Sequence, residues 1–255
     1  MIGLLHRLSV FAAVLVASFL GGFAADAGDV RVAVAANFAG ALEEIAGRFS
    51  SETGNDVLIS IGSTGLLYTQ ITQGAPFDVF LAADQARPER LVDEGYADPS
   101  SRFTYAVGRL VLYSAKPGLF DDIGILEAGD IDRLAMANPK TAPYGKAAEE
   151  TLKAYGLFDA FAGRIVQGAN IGQTYQYVAT GNVDLGFVAL SQVARHREGS
   201  RWIVPSDKHG VLAQDAVLLE TGKENPAALD FLTYLRAPES VLLIESWGYE
   251  APAGS

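Results

Sequence analysis

The chain contains no cysteine, and only three of its 255 residues are histidine. Without a thiol it can form no disulfide, no thiolate nucleophile and no lipid-modified N-terminal cysteine. His6, His196 and His209 are scattered along the sequence, so a zinc site built from histidine and cysteine is not expected. We predict no site for a free metal cation.

Positive charge is also scarce. The chain has 19 Lys and Arg residues against 30 Asp and Glu, which gives a formal net charge of −11. A nucleic-acid-binding protein usually presents a basic surface, and this composition indicates none. We therefore expect no nucleic-acid partner, and capture of an anion would depend on local hydrogen-bond donors rather than on the overall field.

Catalytic patterns are missing as well. The sequence has no G-x-S-x-G elbow, and no serine is accompanied by a plausible histidine and aspartate set. A periplasmic hydrolase or phosphotransferase would need a base, a nucleophile or a metal cluster, and the sequence suggests none of these. We predict that the chain is not an enzyme.

The one long apolar run lies at the N-terminus. His6 and Arg7 precede the run 8–20, and 25–27 is the A-x-A pattern of a cleavage site. The run is shorter than the roughly 20 residues that cross a bilayer, so a retained anchor is the less favoured alternative. We predict a signal peptide over residues 1–27, cleaved near Ala27, and export to the periplasm. Cleavage removes one positive and one negative charge, so the mature chain keeps the charge of −11.

The rest of the sequence alternates apolar runs with amphipathic stretches, which is typical of an α/β fold with largely parallel strands. The first part contains predicted strand 30–35, helix 39–51, strand 57–61, helix 66–73 and strand 78–82. The second part contains predicted strands 104–114, 134–137, 165–166, 184–190 and 214–220, and helices 145–155 and 173–180. Two further helices are predicted to begin at Pro226, after the cap residue Asn225, and at Pro238.

No flexible linker interrupts this pattern, so two lobes would have to be joined by strands. We place the crossings near Val107 and Ala213. This division gives a first lobe of residues 28–108 and 207–255 and a second lobe of residues 109–206. A ligand site is expected where the strand ends of the two lobes face each other.

Four segments between a predicted strand and a predicted helix are rich in small or hydrogen-bonding residues. They are AANF at 35–38, GSTG at 62–65, APYG at 142–145 and ANIG at 169–172. A helix N-terminus has backbone N–H groups without intrahelical partners and a partial positive charge, so it favours an anion. Asn37 and Thr64 can add side-chain donors, while Gly62 and Gly65 permit a close backbone approach. Two such segments from each lobe could surround one compact anion.

Each segment alone has a simpler interpretation, because Ser, Thr and Asn before a helix usually just cap it. The GSTG segment is not a nucleotide-binding phosphate loop, since it lacks the lysine and the spacing. The coincidence of four segments is what favours an anion site. Arg109, Arg164 and Arg195 could each meet an anion, but a solvated or ion-paired surface role is the stronger interpretation.

In their order and spacing, these segments resemble the periplasmic molybdate-binding proteins of molybdate ABC importers. The similarity extends over nearly all of the mature chain. It includes VAANF at 34–38, GSTG at 62–65, GAPFDVFLAAD at 74–84, NP with APYG within 138–145, and DLGFVAL at 184–190. The segment 74–84 is the most specific of these motifs.

This resemblance implies a type II periplasmic binding protein fold, in which two α/β lobes with mixed sheets are joined by two hinge strands. It also implies molybdate or tungstate as the ligand, no cofactor, a membrane permease as the partner, and a monomer. The oxyanion would be held by neutral donors only. Carried over by position, these are Asn37 and Thr64 from the first lobe and the backbone N–H groups of Tyr144 and Ile171 from the second, and the same pocket is bordered by Ser63 and Ala36.

The sequence departs from the family pattern at two positions. Many members have Ser at the position of Asn37 and Tyr at the position of Ala189, a tyrosine whose donor Asn37 could replace. The change leaves discrimination against sulfate open, and sulfate, thiosulfate and chromate are alternative ligands. A regulatory effector domain of the same fold is a further alternative, although it would need a DNA-binding helix pair, and the predicted signal peptide opposes it.

Overall fold

Two mixed β-sheets of five strands each organise the protein. The structure is a computed structural model that describes residues 28–196 and 198–252, so the predicted signal peptide lies outside the described residues. The first sheet contains β1 (Asp29–Ala35), β2 (Asp56–Gly62), β3 (Val79–Leu81), β4 (Phe103–Gly108) and β10 (Leu212–Leu218). The second sheet contains β5 (Leu110–Ser114), β6 (Leu134–Ala137), β7 (Ile165–Gly168), β8 (Leu185–Ala189) and β9 (Ser200–Ile203).

Helices cover both sheets, and we call each sheet with its helices a lobe. The helices of the first lobe are α1 (Ala39–Thr53), α2 (Thr64–Thr72), α3 (Ala86–Asp93), α9 (Pro226–Arg236) and α10 (Pro238–Ser246). Those of the second lobe are α4 (Gly124–Glu127), α5 (Pro143–Ala154), α6 (Phe158–Phe161), α7 (Ile171–Ala179) and α8 (Leu190–Val193). The predicted α/β class with two mixed sheets is confirmed.

The two sheets have the same arrangement of parallel and antiparallel strands. The first has the strand order β2-β1-β3-β10-β4, in which β1 is parallel to β2 and β3, and β10 is antiparallel to β3 and β4. The second has the order β7-β6-β8-β5-β9, in which β6 is parallel to β7 and β8, and β5 is antiparallel to β8 and β9. The parallel strands therefore direct their carboxyl ends, and the helices that follow them, to one edge of each sheet.

The prediction of one long strand over 104–114 is wrong. The apolar run is divided at Arg109 into β4, which pairs with β10 in the first sheet, and β5, which pairs with β8 in the second. The chain thus passes from lobe to lobe within a continuous apolar stretch. The predicted crossing residues Val107 and Ala213 lie opposite each other in the β4–β10 pair.

Each lobe has its own apolar core. In the first, Leu42, Ile45 and Phe49 form a buried face of α1, and Phe49 packs edge-on against Phe231 of α9. In the second, Phe161 and Phe187 are completely buried with Leu110 and Leu152. The helix α9 begins as predicted, because the Asn225 side chain accepts a hydrogen bond from the amide of Ala227. The cores fix the strand ends from which the site is built.

Candidate anion-binding site

A small cavity lies between the two lobes, at the carboxyl ends of the parallel strands. It is lined by Ala35, Ala36, Asn37, Gly62, Ser63, Thr64 and Ala83 from the first lobe, and by Ala142, Pro143, Tyr144 and Ile171 from the second. All six predicted site residues are in this set, so the structure brings them together. Their contact with a ligand remains a prediction.

Helix starts surround this cavity more closely than the sequence pattern suggested. The predicted starts of α2, α5 and α7 were each two residues too late, because these helices begin at Thr64, Pro143 and Ile171. Thr64, Tyr144 and Ile171 are therefore first-turn residues, whose backbone N–H groups have no acceptor within their own helix. Pro143 at the first position of α5 fits the same geometry, since it has no N–H to satisfy.

The cavity is neutral and tight. None of the lining residues carries a charge. The space open to the centre of a water molecule is about 10 Å³, roughly the room of one water-sized sphere. Such a space suits a compact ion rather than an organic solute, whose pockets usually exceed about 300 Å³.

Two buried polar atoms of this cavity have no partner among the described residues. They are the side-chain oxygen Oδ1 of Asn37 and the hydroxyl Oγ of Ser63. Buried polar groups are normally hydrogen-bonded, and an unsatisfied one costs about 1–3 kcal/mol. Thr64 has a proton to donate as well, since its hydroxyl oxygen accepts a hydrogen bond of 3.1 Å from the amide of Ala83. The cavity thus holds polar groups for which a ligand would be the natural partner.

The capping interpretation holds for one segment and fails for two. Asn170 caps α7, because its side-chain oxygen accepts a 2.9 Å hydrogen bond from the amide of Gln173. Ser63 occupies the N-cap position of α2 without making a capping hydrogen bond. Asn37 does not cap α1 either, because Phe38 holds that position. Capping therefore does not explain why Ser63 and Asn37 are polar.

The environment of Asn37 differs from the expected donor role. Its amide nitrogen Nδ2 donates to Oε1 of Gln214 at 2.8 Å and to the hydroxyl of Tyr249 at 3.0 Å. The predicted donor is therefore engaged within the protein, and the amide oxygen is the atom left unpartnered. Gln214 also contacts the hydroxyls of Tyr105 at 3.1 Å and Tyr144 at 3.4 Å. Burial raises the pKa of Tyr105, Tyr144 and Tyr249 above the ordinary value, so all three hydroxyls keep their protons.

Sequence reasoning missed Gln214, Tyr105 and Tyr249 as neighbours of the site. One signal was available: Gln214 and Asp215 are the two polar residues of the strand LAQDAVL, and both are buried. Tyr249 lies beyond the last helix, and nothing in its local sequence points to a position 212 residues earlier. Only the tertiary structure joins it to Asn37.

The lobes are in contact around the cavity, so this is a closed form. The amide of Gly65 in α2 donates to the carbonyl of Thr141 across the cleft at 2.8 Å. On the other side, the Ser191 hydroxyl donates to the Asn37 carbonyl at 2.8 Å. The guanidinium of Arg87 donates to the Lys140 carbonyl at 3.1 Å. A Cβ on Gly65 would lie 3.0 Å from the Thr141 Cα, so this contact needs glycine; the close approach to an anion stays a prediction.

The other residues singled out from the sequence lie outside the cavity lining. Ala189 is completely buried at the end of β8. Arg109 pairs with Glu250 and Arg195 pairs with Glu44, which confirms the ion-paired role expected for these two. Arg164 instead donates to the backbone carbonyls of Gly129 and Ile131. In the part of the chain that the structure describes, no group of three His, Cys, Asp or Glu residues could hold a metal ion. A helix with the length and apolarity needed to cross a bilayer is likewise absent from those residues.

Comparison with known proteins gives strong matches. Residues 30–250 match the model of the family described as bacterial extracellular solute-binding protein. The chain is 51% identical over 230 residues to "Molybdate-binding protein ModA" of Azotobacter vinelandii, covering 89% of this chain and 91% of that protein. It is 49% identical over 225 residues to the protein of the same name from Rhodobacter capsulatus, covering 88% and 89% of the two chains.

The fold gives the same result. The solved structure of the Azotobacter vinelandii periplasmic molybdate-binding protein superimposes with a TM-score of 0.84 and 42% identity, covering 88% of this chain and 99% of that chain. The predicted type II periplasmic binding fold is thereby confirmed, and the chain is a binding protein rather than an enzyme. The chain belongs to the bacterial extracellular solute-binding proteins, within the group of the molybdate-binding proteins ModA.

Proposed function

We propose that this protein is the periplasmic solute-binding component of an ABC importer and that it captures molybdate, and similarly tungstate, between its lobes. The proposal depends mainly on the neutral cavity at the helix starts, in which Oδ1 of Asn37 and Oγ of Ser63 are buried without a hydrogen-bond partner among the described residues. The names of the Azotobacter and Rhodobacter relatives support the choice of ion. The anion is a ligand, and no cofactor takes part.

The cavity binds a dianion through dipoles instead of cations. Ser63 and Thr64 donate their hydroxyl protons from the first lobe, and Asn37 donates its amide protons once Nδ2 is turned to the ion. Tyr144 and Ile171 donate backbone N–H groups from the second lobe. The partial positive ends of α2, α5 and α7 add a favourable field at the same point. Because the closed lobes exclude water, each of these interactions is stronger than it would be in solution.

Selectivity follows from the chemistry of the lining. A hydrogen phosphate ion carries its own O–H, which needs an acceptor, and the lining offers no carboxylate to provide one. The amide oxygen of Asn37 is not available either once Nδ2 is turned to the ion. Sulfate has the same charge and shape as molybdate, so the two are separated only by the radius of the closed cavity. The same lining could hold sulfate, thiosulfate or chromate, and these are the alternative ligands.

Closure links binding to transport. Donors from both lobes reach the ion only when the cleft is closed, so the ion stabilises the closed form. The permease then recognises the surface that the closed lobes present. Export of the chain by its predicted N-terminal signal places it on the side of the membrane where solute is collected.

A thermal-shift panel of the mature protein tests the ligand assignment. We expect molybdate and tungstate at about a thousand times their Kd to stabilise the fold by roughly 4 kcal/mol. Sulfate, phosphate and chromate at the same concentration should have smaller effects. A clear shift with one of these ions and none with molybdate or tungstate would reject the assignment.

Two substitutions test the site itself. Asn37→Ala and Thr64→Ala should each weaken molybdate binding by about 1–3 kcal/mol, the usual cost of losing a hydrogen bond to a charged group. Isothermal titration calorimetry on the mature protein measures the change. Unchanged affinity in both variants would move the site elsewhere.

A further inference from the structure

The side chain of Asn37 faces the cavity with its oxygen, which is the wrong atom for an anion. Its Nδ2 donates to Gln214 and to Tyr249, and its Oδ1 is buried without a partner. An anion placed against this oxygen would meet lone pairs and would be repelled. Turning the Asn37 amide by about 180° would bring Nδ2 to the cavity in place of Oδ1. The residues that contact this amide determine which of the two orientations is preferred.

Gln214 is the residue in contact with the far end of this amide. It lies in β10 at a register shift, where Gln214 faces Ala106 and the next residue, Asp215, faces Thr104. Tyr105 is thus the extra residue of a β-bulge, a feature that redirects side chains and is common next to functional sites. The bulge brings the Tyr105 hydroxyl to 3.1 Å from Oε1 of Gln214.

Gly108, the last residue of β4 before the chain crosses to the second lobe, leaves room for a contact between Tyr144 and Gln214. A side chain on Gly108 would place its Cβ 2.0 Å from the Tyr144 hydroxyl and 2.6 Å from Nε2 of Gln214. Only glycine therefore allows Tyr144, from the second lobe, to reach Gln214 in the strand that joins the lobes. The contact connects the donor amide of the first lobe to both the hinge and the second lobe.

The protons around Gln214 can be counted, because each tyrosine hydroxyl has one proton to donate and each primary amide has two. As the structure stands, the single proton of Tyr105 has two acceptors, the Ala82 carbonyl at 2.9 Å and Oε1 of Gln214 at 3.1 Å. Oε1 of Gln214 also accepts from Nδ2 of Asn37 at 2.8 Å, so the Tyr105 proton is available to the Ala82 carbonyl. Oδ1 of Asn37, meanwhile, receives no proton at all.

Turning both amides together gives a donor to each of these oxygen atoms. Nε2 of Gln214 then donates to Oδ1 of Asn37 and to the Tyr105 hydroxyl, and Tyr105 donates to Ala82. Oε1 of Gln214 then accepts the proton of Tyr144. On the other side, the Tyr249 hydroxyl, which in this structure donates to the Asn37 backbone carbonyl at 2.8 Å, redirects its proton to Oδ1 of Asn37, and the carbonyl keeps the hydrogen bond from Ser191. Both protons of Nδ2 are free to meet the cavity.

We propose that Gln214 is a positioning residue that sets which end of the Asn37 amide faces the cavity, and that the bound anion selects the arrangement in which both amides are turned. The proposal rests on the anion-binding function proposed above. In the empty cavity, the turned arrangement would leave two N–H groups without acceptors, which favours the orientation of this structure. The ion reverses that preference, because its oxygens accept those protons.

A double-mutant cycle on the mature protein tests this role. Molybdate affinity is measured by calorimetry for the wild type, Gln214→Leu, Asn37→Ala and the double variant. We expect Gln214→Leu to weaken binding at least fivefold when Asn37 is present and less than twofold when it is replaced. An equal loss in both backgrounds would overturn the proposal, because Gln214 would then act independently of Asn37.

The second test uses Gln214→Glu, because an ionised carboxylate only accepts hydrogen bonds and a neutral carboxyl also donates one. In this variant, molybdate affinity should fall as the pH rises through the titration of the new carboxyl group. Direct repulsion by the new charge would act equally in the Asn37→Ala background, so the pH dependence should be clearly steeper with Asn37 present. Equal slopes in the two backgrounds would contradict the positioning role.

Two controls keep the result interpretable. If Gln214→Leu does not fold, Tyr105→Phe takes its place in the cycle, since it removes the acceptor that Nε2 needs in the turned arrangement. Tyr234→Phe, whose hydroxyl donates to Glu52 on the outside of the first lobe, should leave the affinity unchanged.

The proposed function and this inference fail in different ways. If the wild type binds none of the tested oxyanions, both are wrong. Binding with an additive cycle defeats the inference alone.

Discussion

At the scale of one residue, Ser63 differs from an ordinary helix-capping serine. A serine at a helix N-cap normally stabilises the helix by about 1 kcal/mol through a hydrogen bond to the first turn. Ser63 makes no such bond, and its hydroxyl is buried without a partner. The empty protein therefore gains nothing from this hydroxyl, whereas a bound anion would accept its proton.

We expect Ser63→Ala to weaken molybdate binding by about 1–3 kcal/mol while leaving the free energy of unfolding of the empty protein unchanged or slightly higher. The reason is that the substitution removes a buried polar atom that is unsatisfied until the ion arrives. Calorimetry measures the first quantity, and urea unfolding without ligand measures the second.

Ser200→Ala is the matched control with the opposite pattern. The Ser200 hydroxyl accepts from the amide of Leu119 at 2.7 Å and donates to the carbonyl of Lys116 at 2.8 Å, away from the cavity. Its removal should lower stability by about 1–3 kcal/mol and leave affinity unchanged. If Ser63→Ala destabilised the empty protein as much as Ser200→Ala does, its hydroxyl would have a structural role instead.

The buried tyrosines predict a specific response to alkali. Burial raises the pKa of Tyr105, Tyr144 and Tyr249 above its ordinary value near 10. Above pH 10 the unfolded chain releases these protons while the folded chain keeps them, so stability is fully present below pH 10 and falls as the pH rises. Each tyrosine should contribute a slope of about 1.4 kcal/mol per pH unit.

Urea unfolding of the empty protein between pH 9 and 11.5 measures this slope. Tyr105→Phe should make it shallower by about 1.4 kcal/mol per pH unit, because one of the three groups no longer titrates. A slope that is the same with and without the Tyr105 hydroxyl would show that this tyrosine is not protected from ionisation by the fold.

Single residues mark the limit of what the sequence could predict about the site. Asn37 and Thr64 were identified because each follows a strand and precedes a helix, which is a local pattern. Gln214 and Tyr249 lie 177 and 212 residues away from Asn37, and their contacts with it arise only from the tertiary fold. The orientation of the Asn37 amide depends on those distant partners, so its expected role as a free donor could not be checked from the sequence.

At the scale of elements, the first turn of α2 connects the lobes as well as lining the cavity. Its Gly65 donates to the carbonyl of Thr141 at 2.8 Å, and a Cβ on Gly65 would lie 3.0 Å from the Thr141 Cα. We expect Gly65→Ala to weaken molybdate binding about five- to tenfold, because the added methyl group separates the lobes by a few tenths of an ångström. The stability of the empty protein should not fall, since alanine favours the helix.

Gly47→Ala separates closure from helix propensity. Gly47 is an exposed residue of α1 with no atom near the position of a Cβ. Its replacement should stabilise the protein by about 0.5–1 kcal/mol and leave affinity unaltered. Calorimetry and urea unfolding of both glycine variants make the comparison. Equal affinities for Gly65→Ala and the wild type would mean that closure tolerates the methyl group.

The elements also show where sequence patterns carry information. The strands before α1 and α2 were predicted almost to the residue, because apolar runs bounded by small polar residues are locally encoded. The starts of α2, α5 and α7 were placed too late, because Ser, Thr, Pro and Gly near a helix start look the same in a loop and in a first turn. The crossing near Val107 was placed at the right point, but the apolar residues on both sides of Gly108 and Arg109 made β4 and β5 look like one strand.

At the scale of the whole molecule, the negative net charge repels the proposed anionic ligand. The chain carries a formal net charge of −11, while the cavity that would hold a dianion is neutral. Basic residues do lie near the mouth of the cleft, but Arg87 is paired with Asp84, Arg90 with Glu94 and Lys146 with Glu150. The long-range field is therefore repulsive, and the donors act only at short range.

Salt should consequently speed association, which is the reverse of the usual case for charged ligands. The Debye length falls from about 30 Å at 0.01 M salt to about 10 Å at 0.1 M, so salt screens the repulsion over most of the approach. We expect the association rate constant for molybdate to rise severalfold over this range, with a much smaller change in the dissociation rate constant because the closed cavity excludes ions. Stopped-flow measurement of intrinsic fluorescence gives both constants. An association rate constant that falls with salt would mean that the cations at the cleft mouth attract molybdate more strongly than the acidic surface repels it. Lys140 also lines that mouth, so Lys140→Gln would then make the salt dependence of the association rate constant weaker.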